Sequence, residues 1–284
     1  MAPCQHCLGY THIETTERWA PRDGLPERRC AQQARITSDQ PGSIYVVKFC
    51  QGSNGVAAMI SEVVCRVLFE TVGLFVLDAV LVHASQSFAD SWNGIAMPFK
   101  IDPGEYFGTL YMEDVIPGPA TDFGDVEDPR EIVQIWVVDA LICNLDRNLW
   151  GNVLLKLGTR TQRYRLIPAD QSDCFCGSTV FADGSWRSRM ERQPAVGIEL
   201  LTEAVAASGG ASGIQVAIEK AEAAISQLGK AFDQVPGSWW AKTSIKPEEI
   251  EAALWHRARA LPNLLSVEKW GTFNYGEYDG IPIL

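Results

Sequence analysis

The first part of the chain is dominated by short apolar runs that predict β-strands. Residues 44–49, IYVVKF, are apolar and rich in β-branched side chains, with Lys48 as the only charge. Three more strands are predicted at residues 75–82, 94–100 and 106–112. These runs indicate a small sheet in the first 112 residues.

Apolar residues at three- and four-residue spacing predict helices elsewhere. Between residues 56 and 72 such a stripe is formed by Ile60, Val63, Val64, Val67 and Leu68. Asp128 followed by Pro129 is typical of a helix start, because the carboxylate caps the first turn and proline fits there. That helix is expected to reach Cys143 and to be buried, since it is apolar almost all round.

The rest of the chain is predicted to be mainly helical. Two short strands, at residues 153–156 and 163–167, bracket a turn, and helices follow at residues 212–232 and 247–261. Residues 113–119, EDVIPGP, contain two prolines and a glycine and are predicted to form a linker.

This pattern predicts an α+β protein with three segments. Residues 1–35 show no sustained period and are expected to be an irregular or lightly structured extension. Residues 36–112 are strand-rich, and residues 113–284 are helix-rich. Ligands often bind at the junction of two such regions.

Net charge, apolar run length and cysteine usage argue against several classes of function and location. The formal charge of −11 argues against direct nucleic-acid binding, which needs a surplus of Lys and Arg. No apolar run reaches the roughly 18–20 residues that span a bilayer, and no secretory signal is recognised at the N-terminus. The cysteines are scattered, and several lie in apolar segments, so we expect a reducing, cytoplasmic location without membrane attachment.

The most informative polar residues follow buried segments. Asp146 and Asn152 lie in a loop after the apolar helix, and Asp170 ends the apolar strand RLIP with the residues AD. Phosphoryl transfer needs a carboxylate near the acceptor hydroxyl and an Asn and an Asp that hold magnesium. Lys48 inside a buried strand needs an anionic partner, for which Glu62 on the predicted helix is suited.

Four segments in chain order carry a family resemblance: IYVVKF with SEVVCRVLFETVGL, then VDALICNLDRNLWGNVLL, LIPADQSDCF, and VPGSWWAKTSIKPEEIEAALWHRARALPNLL. Together they resemble the HipA-like kinases and, more distantly, the phosphatidylinositol 3- and 4-kinases. The resemblance covers about residues 36–265. It implies a two-lobed protein-kinase-like fold, with an antiparallel-sheet N-lobe at residues 36–112 and a helical C-lobe at residues 113–284.

The resemblance also implies roles for individual residues. Asp146 is expected to be the catalytic base or the residue that orients the acceptor hydroxyl, with Asn152 and Asp170 as ligands of Mg²⁺. Lys48 is expected to bind the α- and β-phosphates of ATP, oriented by Glu62.

The nucleotide is expected to make further contacts in two segments. Backbone groups around Glu113 and Val115 are expected to meet the adenine. The turn containing Ser43 lies where relatives keep a phosphate-covering loop.

The implied activity is the transfer of the γ-phosphoryl of ATP to Ser or Thr of a protein. HipA-like kinases are often toxins, so an antitoxin-like partner is conceivable. The sequence departs from the family pattern in two places, and both favour alternative functions. Asn152 lies six residues after Asp146, where relatives usually have five, and Gly42 is the only glycine in the phosphate loop. A pseudokinase that binds nucleotide as a scaffold, or a kinase of a small molecule or lipid, therefore stays open.

Simpler interpretations apply to several residues. Asp139 is expected to be a structural partner of Arg147, and Trp239 a packing residue. The pair Cys4 and Cys7 suggests zinc only weakly, because a structural site needs a second pair of ligands.

Overall fold

The computed structural model describes residues 9–13, 33–37, 44–49, 51–94, 100–117, 125–147, 152–193 and 201–265. Within these residues the chain forms a five-stranded sheet, a three-stranded sheet and a set of helices. One continuous hydrophobic core includes side chains from the larger sheet, the smaller sheet and the helices.

The larger sheet is mixed. In sequence order its strands are β1 (Gly9–Ile13), β2 (Gln33–Thr37), β3 (Ile44–Lys48), β4 (Ala79–Ala84) and β5 (Gly104–Leu110). In space the order is β1-β4-β5-β3-β2. Strand β1 runs parallel to β4, and all other pairs are antiparallel. The antiparallel sheet was expected over residues 36–112, and every pair among β2, β3, β4 and β5 is antiparallel, while the parallel pair involves β1, which precedes that range.

Residues 1–35, expected to be an irregular or lightly structured extension, contain two pieces of regular structure. Strand β1 and most of strand β2 lie within this segment. Five residues are too few to establish a clear period of two, and each strand is defined by the neighbour with which it pairs. The proposed division into three segments stays a prediction.

The other strand predictions of this region have mixed outcomes. Strands β4 and β5 overlap the predicted strands, with shifted ends, whereas most of the strand predicted at residues 94–100 lies outside the described residues. A helix that the sequence analysis missed, α2 (Gln86–Asn93), follows β4. Its N-cap is Ser85, whose hydroxyl accepts a hydrogen bond from the amide of Phe88 at 3.1 Å.

Helix α1 (Gly52–Thr71) is the central helix of the core. It contains the predicted stripe and begins four residues before the predicted start at residue 56. By length and composition alone α1 could cross a membrane, but 72% of its most apolar window is buried inside the protein. The core helix of a soluble protein passes the same test.

Helix α3 (Pro129–Ile142) begins and ends as the sequence predicts. The Asp128 carboxylate accepts a hydrogen bond from the amide of Arg130 at 2.9 Å. The helix ends at Cys143, which has a left-handed backbone with φ of 50°. Eleven of its 14 residues are buried, in agreement with an apolar surface on all sides.

The second sheet contains β6 (Val115–Pro117), β7 (Val153–Leu157) and β8 (Tyr164–Pro168), paired antiparallel in that order. Strand β6 lies inside the segment predicted as a linker, so that prediction is wrong for three residues. Val115 and Ile116 favour a strand, and Pro117 is tolerated because it lies at the end of an edge strand.

The remaining elements are helices α4 (Ser178–Asp183), α5 (Trp186–Met190), α6 (Leu201–Ala207), α7 (Ala211–Ile225), α8 (Leu228–Phe232), α9 (Gly237–Trp240) and α10 (Pro247–Leu264). The helix predicted at residues 212–232 is thus divided into α7 and α8. Trp239 is buried as expected, and its indole N–H donates to the carbonyl of Glu105 at 3.2 Å. This contact joins α9 to strand β5.

Candidate active site

Lys48 lies at the end of β3 with its ammonium directed into the protein. The side chain is nine-tenths buried, and Nζ donates hydrogen bonds to Glu62 and, at 2.6 Å, to Asp170. Glu62 comes from α1 and Asp170 from the residues after β8. A single buried ammonium therefore connects three elements that are distant in sequence.

Glu62 also accepts a hydrogen bond from the loop that contains Asp170. Its Oε1 accepts a hydrogen bond from the amide of Gln171 at 2.9 Å, in addition to the Lys48 ammonium. The position of α1 is thereby tied to the residue that follows Asp170. A shift of this helix would change the surroundings of both Lys48 and Asp170.

The buried charges change one another's protonation. Burial by itself disfavours the charged form of Lys48, but attraction to Asp170 and Glu62 is stronger in sum and raises the pKa of Lys48. Burial likewise opposes ionisation of Asp170, yet the Lys48 ammonium lowers the pKa of Asp170 to about 2. Burial raises the pKa of Glu62, and Lys48 offsets part of that effect. Lys48 and Asp170 are therefore a charged pair at neutral pH.

Asp170 has a left-handed backbone, with φ of 53°. This conformation is uncommon outside glycine, although Asp and Asn tolerate it best. The Asp170 carboxylate is further held by the hydroxyl of Ser172. Its side chain is 31% exposed, so one side of the carboxyl group faces solvent.

Asp146 and Asn152 are in direct contact. The Asn152 amide nitrogen donates to the carboxylate of Asp146 at 2.8 Å and to its carbonyl at 2.7 Å. The Asp146 amide donates to Asn144 at 2.9 Å, and Asn144 in turn donates to Asp139 at 3.0 Å. The six-residue spacing thus still brings Asn152 to Asp146.

Arg147 joins the Asp146 loop to the Asp170 loop. Its guanidinium is fully buried and pairs with Asp139 at 2.8 Å, as the sequence analysis expected. It also donates to the carbonyls of Asn152 and Ala169, the latter at 2.8 Å, and to the Gln171 side chain at 2.7 Å. This connecting role of Arg147 was not predicted from the sequence.

Gln171 is a further residue of the site that was not predicted from the sequence. The available signal was its place directly after Asp170, between an apolar strand and a polar loop. Gln171 is buried, and it is bonded to both Glu62 and Arg147. It therefore connects Glu62, the partner of Lys48, to Arg147 in the loop that contains Asp146.

The expected adenine-contacting segment connects the two sheets. The amide of Tyr111 donates to the carbonyl of Ile44 at 2.8 Å, Glu113 lies in a turn, and Val115 pairs with Lys156 across β6 and β7. Glu113 and Val115 share no hydrogen bond with the Lys48 cluster within the described structure. Their roles stay predictions.

Two other predicted sites cannot be placed. Ser43 lies outside the described residues, and so do Cys4 and Cys7 of the zinc alternative.

The donor atoms fit a magnesium ion that arrives with a nucleotide. Such an ion takes most ligands from phosphate and water and one or two from the protein, which Asp170 and Asn152 can supply. Both Nδ2 hydrogen bonds of Asn152 go to Asp146, which leaves its amide oxygen as the group able to bind a cation. The described residues contain no cluster of three or more His, Cys, Asp or Glu that could hold a metal by itself.

Comparison with known proteins bears on the fold. No protein-family model matches the chain, and no curated protein does. The fold is similar to the crystal structure of a Helicobacter pylori proinflammatory kinase, CtkA, with a TM-score of 0.50 and 13% sequence identity. The match covers 88% of this chain and 97% of that one. At this identity the likeness concerns the fold alone, so the chain has a mixed α/β, kinase-like fold.

Proposed function

We propose that this protein is an ATP- and Mg²⁺-dependent kinase of the HipA-like type that phosphorylates Ser or Thr of a protein substrate. The observation that carries the proposal is Lys48, whose buried ammonium is bonded to both Glu62 and Asp170 within a kinase-like fold. A strand lysine between a helix glutamate and a loop aspartate is the arrangement that phosphoryl transfer uses for its phosphate and metal contacts.

Each residue has a defined part in the reaction. When ATP binds, the Lys48 ammonium donates hydrogen bonds to the α- and β-phosphates in place of part of its contact with Asp170. Glu62 keeps the ammonium in position. Asp146 orients the acceptor hydroxyl and takes its proton as the new oxygen–phosphorus bond forms and the bond from the γ-phosphorus to the bridging oxygen of the leaving ADP breaks. Asn152 and Asp170 hold Mg²⁺, which when bound neutralises charge on the phosphates.

The buried network positions these residues in advance. Arg147 is bonded on both sides of Asp170, through Ala169 and Gln171, and to Asn152. Because the guanidinium is planar and its partners are fixed, the two loops keep their relative position without substrate. Little reorganisation is then needed at the moment of transfer.

The nature of the acceptor rests on the sequence resemblance. The resemblance supports a protein hydroxyl, and it also motivates the antitoxin-like partner and the cytoplasmic location, which stay predictions.

A nucleotide-binding pseudokinase is the second candidate. Lys48 and Ser172 both bond to the same oxygen of Asp170, Oδ1. Lys48 must give up part of this contact for Asp170 to act fully as a metal ligand. If that exchange is unfavourable, nucleotide binds without transfer.

The test is a paired measurement of binding and turnover. ATP binding is measured by calorimetry with and without Mg²⁺, and ATP hydrolysis or phosphoprotein formation is measured with Asp146→Asn, Asp170→Asn and a matched control, Asp183→Asn. Asp183 is an exposed carboxylate that caps the amide of Ser185 at 2.8 Å and takes no part in the site.

The expected result separates the three variants. Asp146→Asn retains Mg-ATP binding and loses turnover, typically by 10²-fold or more (about 3 kcal/mol) for a catalytic base. Asp170→Asn loses the Mg²⁺-dependent part of binding, and Asp183→Asn behaves as the wild type. Binding without turnover across a panel of protein substrates supports the pseudokinase. Absence of any Mg-ATP binding contradicts both proposals.

A further inference from the structure

Four buried cysteines lie in or near the loop that follows Asp170. Cys174 and Cys176 belong to this loop, and Cys65 and Cys143 lie next to it, so that the four form two pairs. Cys143 and Cys176 are near enough to affect each other's pKa, and so are Cys174 and Cys65. All four are free thiols and almost fully buried. The proposed kinase chemistry uses none of them.

The backbone places Cys143 and Cys176 side by side. Cys143 ends α3 and begins the loop that contains Asp146. The amide of Cys176 donates to the carbonyl of Cys143 at 3.3 Å, and the amide of Phe175 donates to that of Ile142 at 2.7 Å. Both cysteines have left-handed backbones, which orients each one differently from a regular helix or strand residue.

A buried guanidinium lies next to this pair. Arg257 of α10 is 3% exposed and donates to the carbonyls of Ala140, of Met190 and, at 2.9 Å, of Gln193. The Cys143 thiol shares the Met190 carbonyl, with 3.9 Å between Sγ and oxygen.

Arg257 lacks an ordinary counter-ion. No carboxylate pairs with it among the described residues, and the ionisable groups that act on it there are Cys143 and Cys176. Because a buried charge without a counter-ion is costly, ionisation of a thiol here is favoured.

The two thiols of this pair differ in acidity. The neighbouring Cys143 thiol, together with the positive charges of Arg257 and Arg189, lowers the pKa of Cys176 despite burial. Burial and the same thiol contact raise the pKa of Cys143. A more acidic thiol next to a less acidic one is the arrangement of an attacking and a resolving cysteine.

The second pair has a different electrostatic environment. Burial and the contact with Cys65 raise the pKa of Cys174. The nearest guanidinium, Arg147, is already neutralised by Asp139 at 2.8 Å. This pair has similar burial and thiol contact but no uncompensated cation, so it serves as an internal control.

We propose that Cys143 and Cys176 are a redox-active dithiol that small peroxides convert to a disulfide. The Cys176 thiolate attacks one peroxide oxygen and the O–O bond breaks, so Cys176 becomes a sulfenic acid. The leaving hydroxide takes up a proton and becomes water. The Cys143 sulfur then attacks the Cys176 sulfur, the S–O bond breaks, and a second water leaves with the thiol proton. Two thiols and one hydrogen peroxide give one disulfide and two waters.

The disulfide would close a covalent loop around the candidate active site. Asp146, Asn152 and Asp170 all lie between the two cysteines in sequence. Oxidation thereby fixes both ends of the segment that supplies the proposed base and metal ligands. In a reducing compartment the pair is a dithiol until the peroxide concentration rises.

The test is a time course of peroxide oxidation of the full-length folded chain. Hydrogen peroxide is added, remaining thiols are alkylated after unfolding, and each cysteine is assigned by peptide mass mapping. A Cys143–Cys176 peptide that has lost two hydrogens is expected first, with Cys65 and Cys174 still alkylated. Cys143→Ser is expected to leave Cys176 as a sulfenic or sulfinic acid, and dithiothreitol to reverse the wild-type disulfide.

The charge argument is tested with two substitutions at Arg257. Arg257→Gln is expected to slow oxidation of Cys176, because each unit by which the thiol pKa rises lowers the thiolate fraction about tenfold. Arg257→Lys keeps a cation and is expected to react faster than Arg257→Gln. Thermal unfolding of each variant establishes that it is folded, and Cys176→Ser, with Arg257 intact, removes the disulfide independently.

Three outcomes overturn the proposal: equal oxidation of the Cys65–Cys174 pair, no Cys143–Cys176 disulfide at complete peroxide consumption, or equal rates for the two Arg257 variants. These readouts involve no ATP, so their failure leaves the proposed kinase function untouched. A failure of ATP binding equally leaves the dithiol untouched.

Discussion

Replacing Lys48 by methionine tests the electrostatic centre of the protein most directly. Methionine keeps an unbranched side chain, one atom shorter than that of lysine, but removes the ammonium that Glu62 and Asp170 share. The variant leaves two carboxylates facing one another in a site where Glu62 is 5% exposed. We expect a large loss of stability, separate from any effect on nucleotide binding.

The magnitude follows from the burial of the pair. Removing one partner of a buried ion pair costs about 3–5 kcal/mol, since the remaining charge loses its compensation. The Asp170 pKa gives a partial check: a fall from 3.8 to about 2 corresponds to about 2 kcal/mol at most. Its 31% exposed side chain reduces that figure through solvent screening. A deficit near 3 kcal/mol for Lys48→Met is therefore expected at neutral pH.

The pH dependence has a definite sign. The folded-state pKa of Asp170 is depressed, so its contribution to wild-type stability is complete above about pH 4 and is lost as pH falls towards 2. In Lys48→Met the ammonium is absent, so the folded-state pKa values of Glu62 and Asp170 rise and folding takes up protons. The stability deficit of the variant is therefore largest near pH 7 and shrinks below about pH 5.

The assay is urea unfolding followed by tryptophan fluorescence, since Trp92, Trp136, Trp186 and Trp239 are all fully buried. Lys156→Met is the matched control: its ammonium lies 3.5 Å from the exposed Asp114, and a surface pair is worth at most about 1 kcal/mol. A Lys48→Met deficit below 1 kcal/mol at pH 7, or one that does not change with pH, refutes the reasoning.

Three further substitutions test other contacts by the same unfolding measurement. Asp139→Asn is expected to cost about 3 kcal/mol or more, because it leaves the buried Arg147 guanidinium without its anion; a cost below 1 kcal/mol contradicts the connecting role of Arg147. Asp128→Ala is expected to cost about 1 kcal/mol through loss of the α3 cap, with an unchanged midpoint as the opposing result. Trp239→Phe is expected to cost about 1 kcal/mol because the indole bond to Glu105 is lost; equal stability argues against that contact.

Local signals in the sequence were sufficient for several elements. Helix α3 was predicted with both ends, because Asp128 and Pro129 act within one turn and the apolar run is continuous. The pairing of Lys48 with Glu62 followed from the cost of burying a charge. Helix α2 was missed even though Ser85 caps it, since eight residues give little periodicity.

The candidate site was predictable in part. The order of Asp146, Asn152 and Asp170 in the chain indicated phosphoryl transfer, while the roles of these residues came from the family resemblance. The direct contact of Asn152 with Asp146 across a six-residue spacing is a result of the structure. So is the network around Arg147, because its partners lie on separate segments.

By itself, then, the sequence determined the buried strand, the capped helix and the residues able to carry the chemistry. These depend on interactions within a few residues, which propensity and periodicity reflect. Only the tertiary structure decided that β1 pairs parallel to β4, that Lys48 contacts Asp170 across 122 residues, and that Arg257 lies beside Cys143 and Cys176. Such contacts depend on how distant elements pack, and no local pattern encodes them.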